Sequence, residues 1–169
     1  MKKNKEVLMC YDIETTGLDP YICEIIEIGA IKVYPNGKIE EFDKVINIGK
    51  PLPKKIIEIT GITDDDIARG YNKEETMLEF KDFVEDVDIV IGQNHINFDN
   101  AFIEKAIPEA LLHKKMFDTL HYAQHCLDLP NNSLDNLLNY YNIKFQGDRH
   151  RALDDARATL EVYYRMTKQ

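Results

Sequence analysis

Two acidic side chains stand two residues apart at the end of an apolar segment. Asp12 and Glu14 follow Leu8 and Cys10 at the same alternate spacing, and on a strand such residues project to one face. Carboxylates about 7 Å apart along a strand repel each other unless a cation lies between them. A bare pair of this kind is more often a solvated strand end. The Thr-Thr-Gly that follows favours a functional pair over a solvated strand end, because a glycine lets the backbone approach a nucleotide closely.

A third carboxylate lies where residues 97–106 show helical spacing. Asp99 shares a predicted helix face with Phe102 and Ile103. A charge on an apolar face is costly unless it is paired or bound to a metal. The alternative is an acid in the first helical turn, favoured by the helix dipole. This segment alone leaves both interpretations open.

A histidine and a fourth carboxylate stand at the start of the last predicted helix, residues 152–166. Asp155 borders the buried face of that helix, and His150 precedes it on the connecting chain. A histidine, with a reference pKa of about 6.5, can act as a base near neutral pH. The alternative is a surface histidine beside two dipole-favoured acids, Asp154 and Asp155.

Taken together, these segments predict a metal centre. Four carboxylates arrive from one strand end and two helices, with a candidate base beside the last. Oxygen-only sites suit Mg²⁺ or Mn²⁺ and not zinc. Two such ions about 4 Å apart can activate water and stabilise the leaving oxygen in phosphodiester hydrolysis. The four carboxylates are Asp12, Glu14, Asp99 and Asp155.

The elements that must position these residues follow from apolar periodicity and turn residues. Segments 7–13, 23–34 and 39–48 are predicted strands, and the Pro-Asn-Gly turn between the last two indicates an antiparallel meander. Further strands at 89–92 and 116–117 alternate with predicted helices at 74–86, 97–106, 118–126, 133–141 and 152–166. Thr63 and Asp66 form a possible capping box. The pattern predicts one α/β domain, residues 1–169, with a mixed central sheet.

Composition narrows the class of partner. A net charge of −9, from 21 basic and 30 acidic residues, argues against a protein that coats long stretches of duplex. It leaves room for an enzyme that grips a strand end through metal ions. Three widely spaced cysteines argue against a zinc ribbon or a disulfide framework and are expected to be small buried residues. With neither a membrane-length apolar run nor a signal peptide, we expect a cytoplasmic protein without a membrane partner.

Three motifs, in this order, resemble the DEDDh exonucleases, which include proofreading subunits and domains of bacterial replicative DNA polymerases. They are Asp12-Ile13-Glu14-Thr15-Thr16-Gly17-Leu18, Asn97-Phe98-Asp99 and His150-Arg151-Ala152-Leu153-Asp154-Asp155. The resemblance covers residues 7–164, and Glu27-Ile28-Gly29-Ala30 within this range also fits the family. One departure is Asn94-His95, where the family commonly has His-Asn, and packing is the expected role of His95.

The resemblance implies a ribonuclease-H-like fold whose five-stranded mixed sheet is flanked by helices. It implies that Asp12, Glu14, Asp99 and Asp155 hold two Mg²⁺ or Mn²⁺ ions, with Asp12 bridging both, and that His150 deprotonates the attacking water. Thr15, Thr16 and Leu18 would contact the terminal nucleotide. Phe102 is assigned a stacking or wedge contact with the substrate, although core packing is the favoured role.

The implied activity is 3′-to-5′ removal of nucleoside 5′-monophosphates from single-stranded DNA, with a DNA polymerase subunit as a partner. Alternatives are an RNA 3′-end exonuclease of the same family, a ribonuclease-H-type endonuclease and a non-catalytic nucleic-acid-binding domain. The loss of a carboxylate or of the base is expected in a binding domain, and all five residues are present. The sequence leaves open whether the chain is free-standing or part of a polymerase.

Overall fold

The fold is built on one mixed six-stranded sheet, seen in a computed structural model that describes residues 5–168. The basic start of the chain, residues 1–4, lies outside the described residues. The strand order is β4-β3-β2-β1-β5-β6. The strands are β1 Leu8–Thr15, β2 Ile25–Val33, β3 Ile39–Asn47, β4 Tyr71–Asn72, β5 Ile89–Gly92 and β6 Lys115–Asp118.

The predicted antiparallel meander of β1, β2 and β3 is confirmed, with β5 and β6 added in parallel. In the β2–β3 turn, Gly37 has a φ of 88°, which glycine adopts without steric cost. The sheet has one strand more than the five expected. Tyr71 and Asn72 pair in parallel with the end of β3 at the sheet edge. Two exposed residues without an apolar run give no strand pattern, which is why the sequence did not predict β4.

Seven helices are described, and several begin at side chains that accept backbone N–H groups; the capping box predicted for Thr63 and Asp66 is confirmed. Thr63 and Asp66 form the capping box, and the Asp118 and Ser133 side chains each accept backbone N–H groups at a helix start. The helices are α1 Lys54–Thr60, α2 Asp64–Arg69, α3 Lys73–Val84, α4 Asp99–Ala106, α5 Thr119–Cys126, α6 Leu134–Tyr140 and α7 Ala152–Thr167.

The two faces of the sheet have separate cores. Met9 and Tyr11 of β1 pack with Phe80 of α3 and Ile103 of α4 on one face. Alternate residues of β1 pack against α7 on the other, as do residues of β2 and β5. Asp12 and Glu14 continue that second face, so the chain places them toward α7. The residues of this second core are Leu8, Cys10, Ile31, Ile91, Leu153, Ala156, Leu160 and Tyr163.

The cysteines are all free, which agrees with the absence of a predicted disulfide framework. Cys10 is buried as expected and Cys23 is partly buried, but Cys126 is exposed at the end of α5, so the expectation of burial was wrong for Cys126. Among the described residues, no helix has the length and apolar character needed to cross a membrane.

Candidate active site

The site begins where β1 extends beyond the end of its parallel neighbour, β5. β5 pairs with β1 at residues 8–10 only. Farther along β1, the Ile13 N–H donates to Asp99 Oδ1 at 3.2 Å, so a carboxylate takes a place where a strand partner is lacking. Because Asp12 and Glu14 flank Ile13, this hydrogen bond brings the acid of α4 beside the acids of β1.

Asp99 is the first residue of α4 and is 3% exposed. The loop before it is held by the Asp118 carboxylate, which accepts Asn94 N–H at 2.9 Å and Ile96 N–H at 3.2 Å. The same carboxylate caps α5 through Leu120 N–H. Asp118 therefore ties the α4 entry to the end of β6. Asp99 is both a first-turn acid and a residue of the site, so the two interpretations of this residue are compatible.

Asp155 and His150 meet at the start of α7. Asp155 Oδ2 accepts the His150 backbone N–H at 3.1 Å, and Oδ1 contacts the Arg149 guanidinium. His150 has a φ of 61° and an exposed side chain; histidine is one of the residues that enters this left-handed region more often than most. Glu14, His150 and Asp155 each offer a ligand atom within 4.8 Å of the other two.

The electrostatics of the site disfavour ionised carboxylates without a cation. Burial raises the pKa of Glu14 to about 8, with further contributions from Glu27 and Asp99. Burial also raises the pKa of Asp99 to about 7. The pKa of Asp12 is raised well above its ordinary value by burial, by Asp99 and by Glu14. Arg149 acts in the opposite direction on Asp12 and Glu14.

This donor set fits hard divalent cations. Acids that repel one another at a buried strand end are stabilised in the ionised form by an ion held between them. Carboxylate oxygens are preferred ligands of Mg²⁺ and Mn²⁺. The ligand atoms of Glu14, His150 and Asp155 form one close group, and Asp12 and Asp99 lie outside it. The Ile13 hydrogen bond holds Asp99 beside the two acids of β1. Asp12 lies close enough to Asp99 and Glu14 for their charges to raise its pKa.

The loop from β1 to β2 follows directly from the site. The Thr15 hydroxyl donates to Gly17 O at 2.6 Å, and the Thr16 hydroxyl accepts Glu24 N–H at 3.0 Å. Both hydroxyls shape the loop itself. A Cβ at Gly17 would lie 2.7 Å from Cys23 Sγ, so the Cys23 side chain would have to shift to admit it. Leu18 projects outward and is 83% exposed.

Phe102 does not lie on the surface of the site, so the substrate contact assigned to it is not supported. It is 2% exposed and packs against Phe98, with ring centroids 5.1 Å apart, in the core beneath α4. Core packing, the favoured role, describes its position. His95 is also fully buried: its Nδ1 lies 3.2 Å from Asn100 Oδ1 and its ring meets Tyr11 edge-on. The expected packing role of His95 is confirmed.

Sequence reasoning assigned no role to three charged residues at the site. Arg149 contacts Asp155 and donates to Asp135 at 2.9 Å, so it supplies positive charge beside the acids. Glu27 and Arg151 form an ion pair under the start of α7. The pattern available was a glutamate within the otherwise apolar run of β2, and a run of basic and histidine residues directly before α7.

Comparison with known proteins gives the family. The RNase T family, described as exonuclease, matches residues 9–163. The DNA polymerase III PolC-type of Thermotoga maritima is 37% identical over 161 residues, which is 93% of this chain and 12% of that protein. This chain thus spans about an eighth of the length of the curated relatives it matches.

Solved structures of exonuclease I share the fold. One superposes with a TM-score of 0.81 at 18% identity, covering 96% of this chain and 41% of the other. A zinc-bound complex of E. coli exonuclease I with single-stranded DNA gives a TM-score of 0.74 at 20% identity, covering 98% and 41%. The ribonuclease-H-like architecture predicted from the motifs is confirmed. The chain belongs to the RNase T family of exonucleases, which are hydrolases of nucleic acids.

Proposed function

We propose that this chain removes nucleotides one at a time from the 3′ end of single-stranded DNA and releases nucleoside 5′-monophosphates. The observation that carries the proposal is the convergence of Glu14, His150 and Asp155 within 4.8 Å, beside Asp12 and Asp99. We assign two Mg²⁺ or Mn²⁺ ions to Asp12, Glu14, Asp99 and Asp155. When bound, such ions polarise the scissile phosphate, activate water and neutralise charge on the leaving oxygen.

The protein's own residues complete the chemistry. His150 is the candidate base, because its exposed side chain stands on the loop beside Asp155 and can accept the proton of the attacking water. The hydrogen bond from His150 N–H to Asp155 fixes the base relative to a ligand. A general base must lie within hydrogen-bond reach of its proton, and this coupling maintains that geometry.

A second feature supports a single-stranded substrate. The loop after Thr16 exposes three apolar side chains, Leu18, Tyr21 and Ile22, at 83%, 84% and 77%. It is held in shape by backbone hydrogen bonds from Thr16 and Cys23, and Lys105 of α4 donates to Pro20 O and Tyr21 O. Apolar and aromatic surfaces bind unpaired bases by stacking, without dependence on sequence. We assign this loop the 3′-terminal bases.

DNA is the proposed substrate because the similar full-length proteins are DNA polymerases and the similar fold is seen with single-stranded DNA. We propose a proofreading role, in which this segment acts on the primer end of an associated polymerase. RNA is the competing substrate within the same chemistry.

The test is digestion of single-stranded DNA and RNA oligonucleotides labelled at the 5′ end, with Mg²⁺ or Mn²⁺ and with EDTA. We expect a ladder that shortens from the 3′ end, faster on DNA and abolished by EDTA or by Asp12→Ala. A circular single strand tested in parallel should stay intact.

Three other results would each indicate a different function. Cleavage of the circle would indicate an endonuclease. Faster digestion of RNA would reassign the substrate. Binding without cleavage of either linear strand, by folded protein with metal present, would contradict an exonuclease and favour a binding domain.

A further inference from the structure

We propose that Glu27 and Arg151 form a buried clamp that positions Asp155 and His150 over the carboxylates of β1. Both are positioning residues, which act through the ligand and the base and do not touch substrate. This inference rests on the proposed function, because it assigns a purpose to residues around the same metal centre.

The Glu27 carboxylate makes its hydrogen bonds at the start of α7. It is 0% exposed. One oxygen, Oε1, accepts Arg151 Nε at 2.9 Å and Nη2 at 2.7 Å, and the other, Oε2, accepts the Ala152 backbone N–H at 2.9 Å. A fork of two N–H groups on a carboxylate restricts both distance and orientation. The residue before Arg151 is His150, so the clamp fixes the chain on which the candidate base stands.

The clamp also replaces a missing helix cap. α7 has Arg151 at its N-cap position and no side chain of its own that caps it. The first N–H groups of a helix have no partner within the helix and favour a negative charge. Glu27, 125 residues away in sequence, supplies that partner from the sheet. The start of α7 is therefore tied directly to β2.

The register of the sheet links this tie to the metal ligands. Glu27 pairs with Glu14 across the β1–β2 ladder, and Gly29 pairs with Asp12. A Cβ on Gly29 would lie 1.9 Å from Leu153 N, so α7 rests on the sheet next to Asp12. The strand that carries Glu27 thus sets both the height of α7 and the distance from Asp155 to the β1 acids.

Stability alone does not explain why a carboxylate is buried in an apolar strand. Replacing a buried ion pair by apolar residues of similar volume is often neutral or stabilising. Here Glu27 pairs with Glu14 in the β1–β2 ladder. Its carboxylate restrains Arg151 and Ala152, which stand between His150 and Asp155. That arrangement serves the precision with which a metal site must be held.

The same helix offers a matched control. Arg157 donates to Glu41 of β3 through Nε at 3.0 Å and Nη2 at 2.8 Å, which is again a two-bond arginine–carboxylate pair between α7 and the meander. It lies farther along α7 and is exposed. Glu41→Gln therefore weakens an arginine–carboxylate pair of the same chemistry that makes no hydrogen bond to Arg151 or Ala152.

The experiment compares Glu27→Gln, Arg151→Ala, Arg151→Lys and Glu41→Gln with the unsubstituted chain. The readouts are Mn²⁺ affinity by calorimetry, kcat and KM on the p-nitrophenyl ester of thymidine 5′-monophosphate, and the unfolding temperature. We expect Arg151→Ala and Glu27→Gln to weaken Mn²⁺ binding and lower kcat by about 10- to 100-fold, the usual effect of losing a group that orients a ligand. Arg151→Lys should recover part of both, and Glu41→Gln should change neither.

The proposal is overturned if Arg151→Ala retains the Mn²⁺ affinity and kcat of Glu41→Gln, even when both lower the unfolding temperature. If Glu27→Gln does not fold, the two Arg151 variants decide the question alone. An unsubstituted chain that neither binds Mn²⁺ nor cleaves the ester would refute the proposed function itself, which is a separate result.

Discussion

Glu14 is an acid that the fold places where its ionised form is unfavourable. Its pKa of about 8 comes first from burial and then from Glu27 and Asp99. A cation bound by the same oxygens would reverse this preference, because it stabilises the ionised form. At the scale of residues, the site is therefore a set of buried acids that repel one another in their ionised forms.

His150 is the one candidate base in the group with Glu14 and Asp155. We expect His150→Ala to lower kcat by about 10²- to 10⁴-fold, the range for loss of a general base, with Mn²⁺ affinity changed far less. The control is His125→Ala, an exposed histidine whose Nδ1 lies 2.7 Å from His121 O. Equal kcat values for the two variants on the nucleotide ester would show that His150 is not the general base.

Leu18 is predicted to act on substrate binding alone. Leu18→Ala should raise KM for a single-stranded oligonucleotide by about 5- to 50-fold, since it removes apolar contact worth about 0.8 kcal/mol for each buried methylene group. Hydrolysis of the small ester should be unchanged. Leu78→Ala, which shortens an exposed leucine on α3, serves as the control. A loss of equal size on both substrates would show that Leu18 supports the site and does not bind the strand.

The sequence was informative about single residues wherever a local rule applies. Strand alternation was enough to put Asp12 and Glu14 on one face, and the structure turns that face toward α7. It could not show that the Thr15 and Thr16 hydroxyls are occupied within their own loop. Nor could helical spacing decide whether Phe102 faces substrate or core, because an apolar side chain fits either environment.

At the scale of elements, the distance between α7 and the sheet decides whether the site can form. At Gly29 the helix comes very close to the sheet, because a Cβ there would lie 1.9 Å from Leu153 N. The neighbouring atoms are backbone and cannot rotate away. Overpacking of this kind usually costs about 1–3 kcal/mol, and here the whole helix start must move.

We therefore expect Gly29→Ala to lower both stability and Mn²⁺ affinity. Gly49→Ala is the comparison, because Gly49 has a φ of 70° and nothing within 4 Å of a Cβ, so it adds backbone strain without a clash. It should lower the unfolding temperature and leave Mn²⁺ affinity intact. If Gly29→Ala binds Mn²⁺ as the unsubstituted chain does, the close approach of α7 is not what aligns Asp155.

Most helices and strands were predictable, because their periodicity and caps are local. Asp118 before α5 and Ser133 before α6 are examples. What was not predictable were contacts between distant segments. The Glu27–Arg151 pair joins residues 124 apart, and β4 exists only because β3 offers it an edge. The three motifs indicated which segments converge, but the ties that hold them came from the structure.

Across the whole molecule, the excess of 30 acidic over 21 basic residues is partly concentrated at the site. Folding raises the pKa of Glu14 from 4.5 to about 8 and that of Asp99 from 3.8 to about 7. An acid with a raised pKa stabilises the folded state below its ordinary pKa, and that contribution is lost as pH rises through the raised value. The pKa of Glu40 is lowered to about 2, so its contribution to stability is present above its ordinary pKa of 4.5 and is lost only as the pH falls below that value.

In EDTA we therefore expect the unfolding temperature to fall by about 5 °C or more between pH 5 and pH 8.5. Mg²⁺ or Mn²⁺ should restore it at the upper end, because ligands that bind only the folded state stabilise it. Glu14→Gln in EDTA should show a shallower decline. Thermal unfolding followed by circular dichroism measures all three, and a flat or rising profile for the unsubstituted chain would contradict the assignment of these acids.

The most direct test of the account is the number of divalent ions that the chain binds. Calorimetric titration with Mn²⁺ at pH 8 should give two ions per chain, and Asp155→Asn and Asp12→Asn should each reduce that number or weaken binding by about 10-fold or more. Binding of two ions that both variants lose would establish the four carboxylates as the centre of the enzyme. No saturable binding, or binding that survives both substitutions, would contradict it.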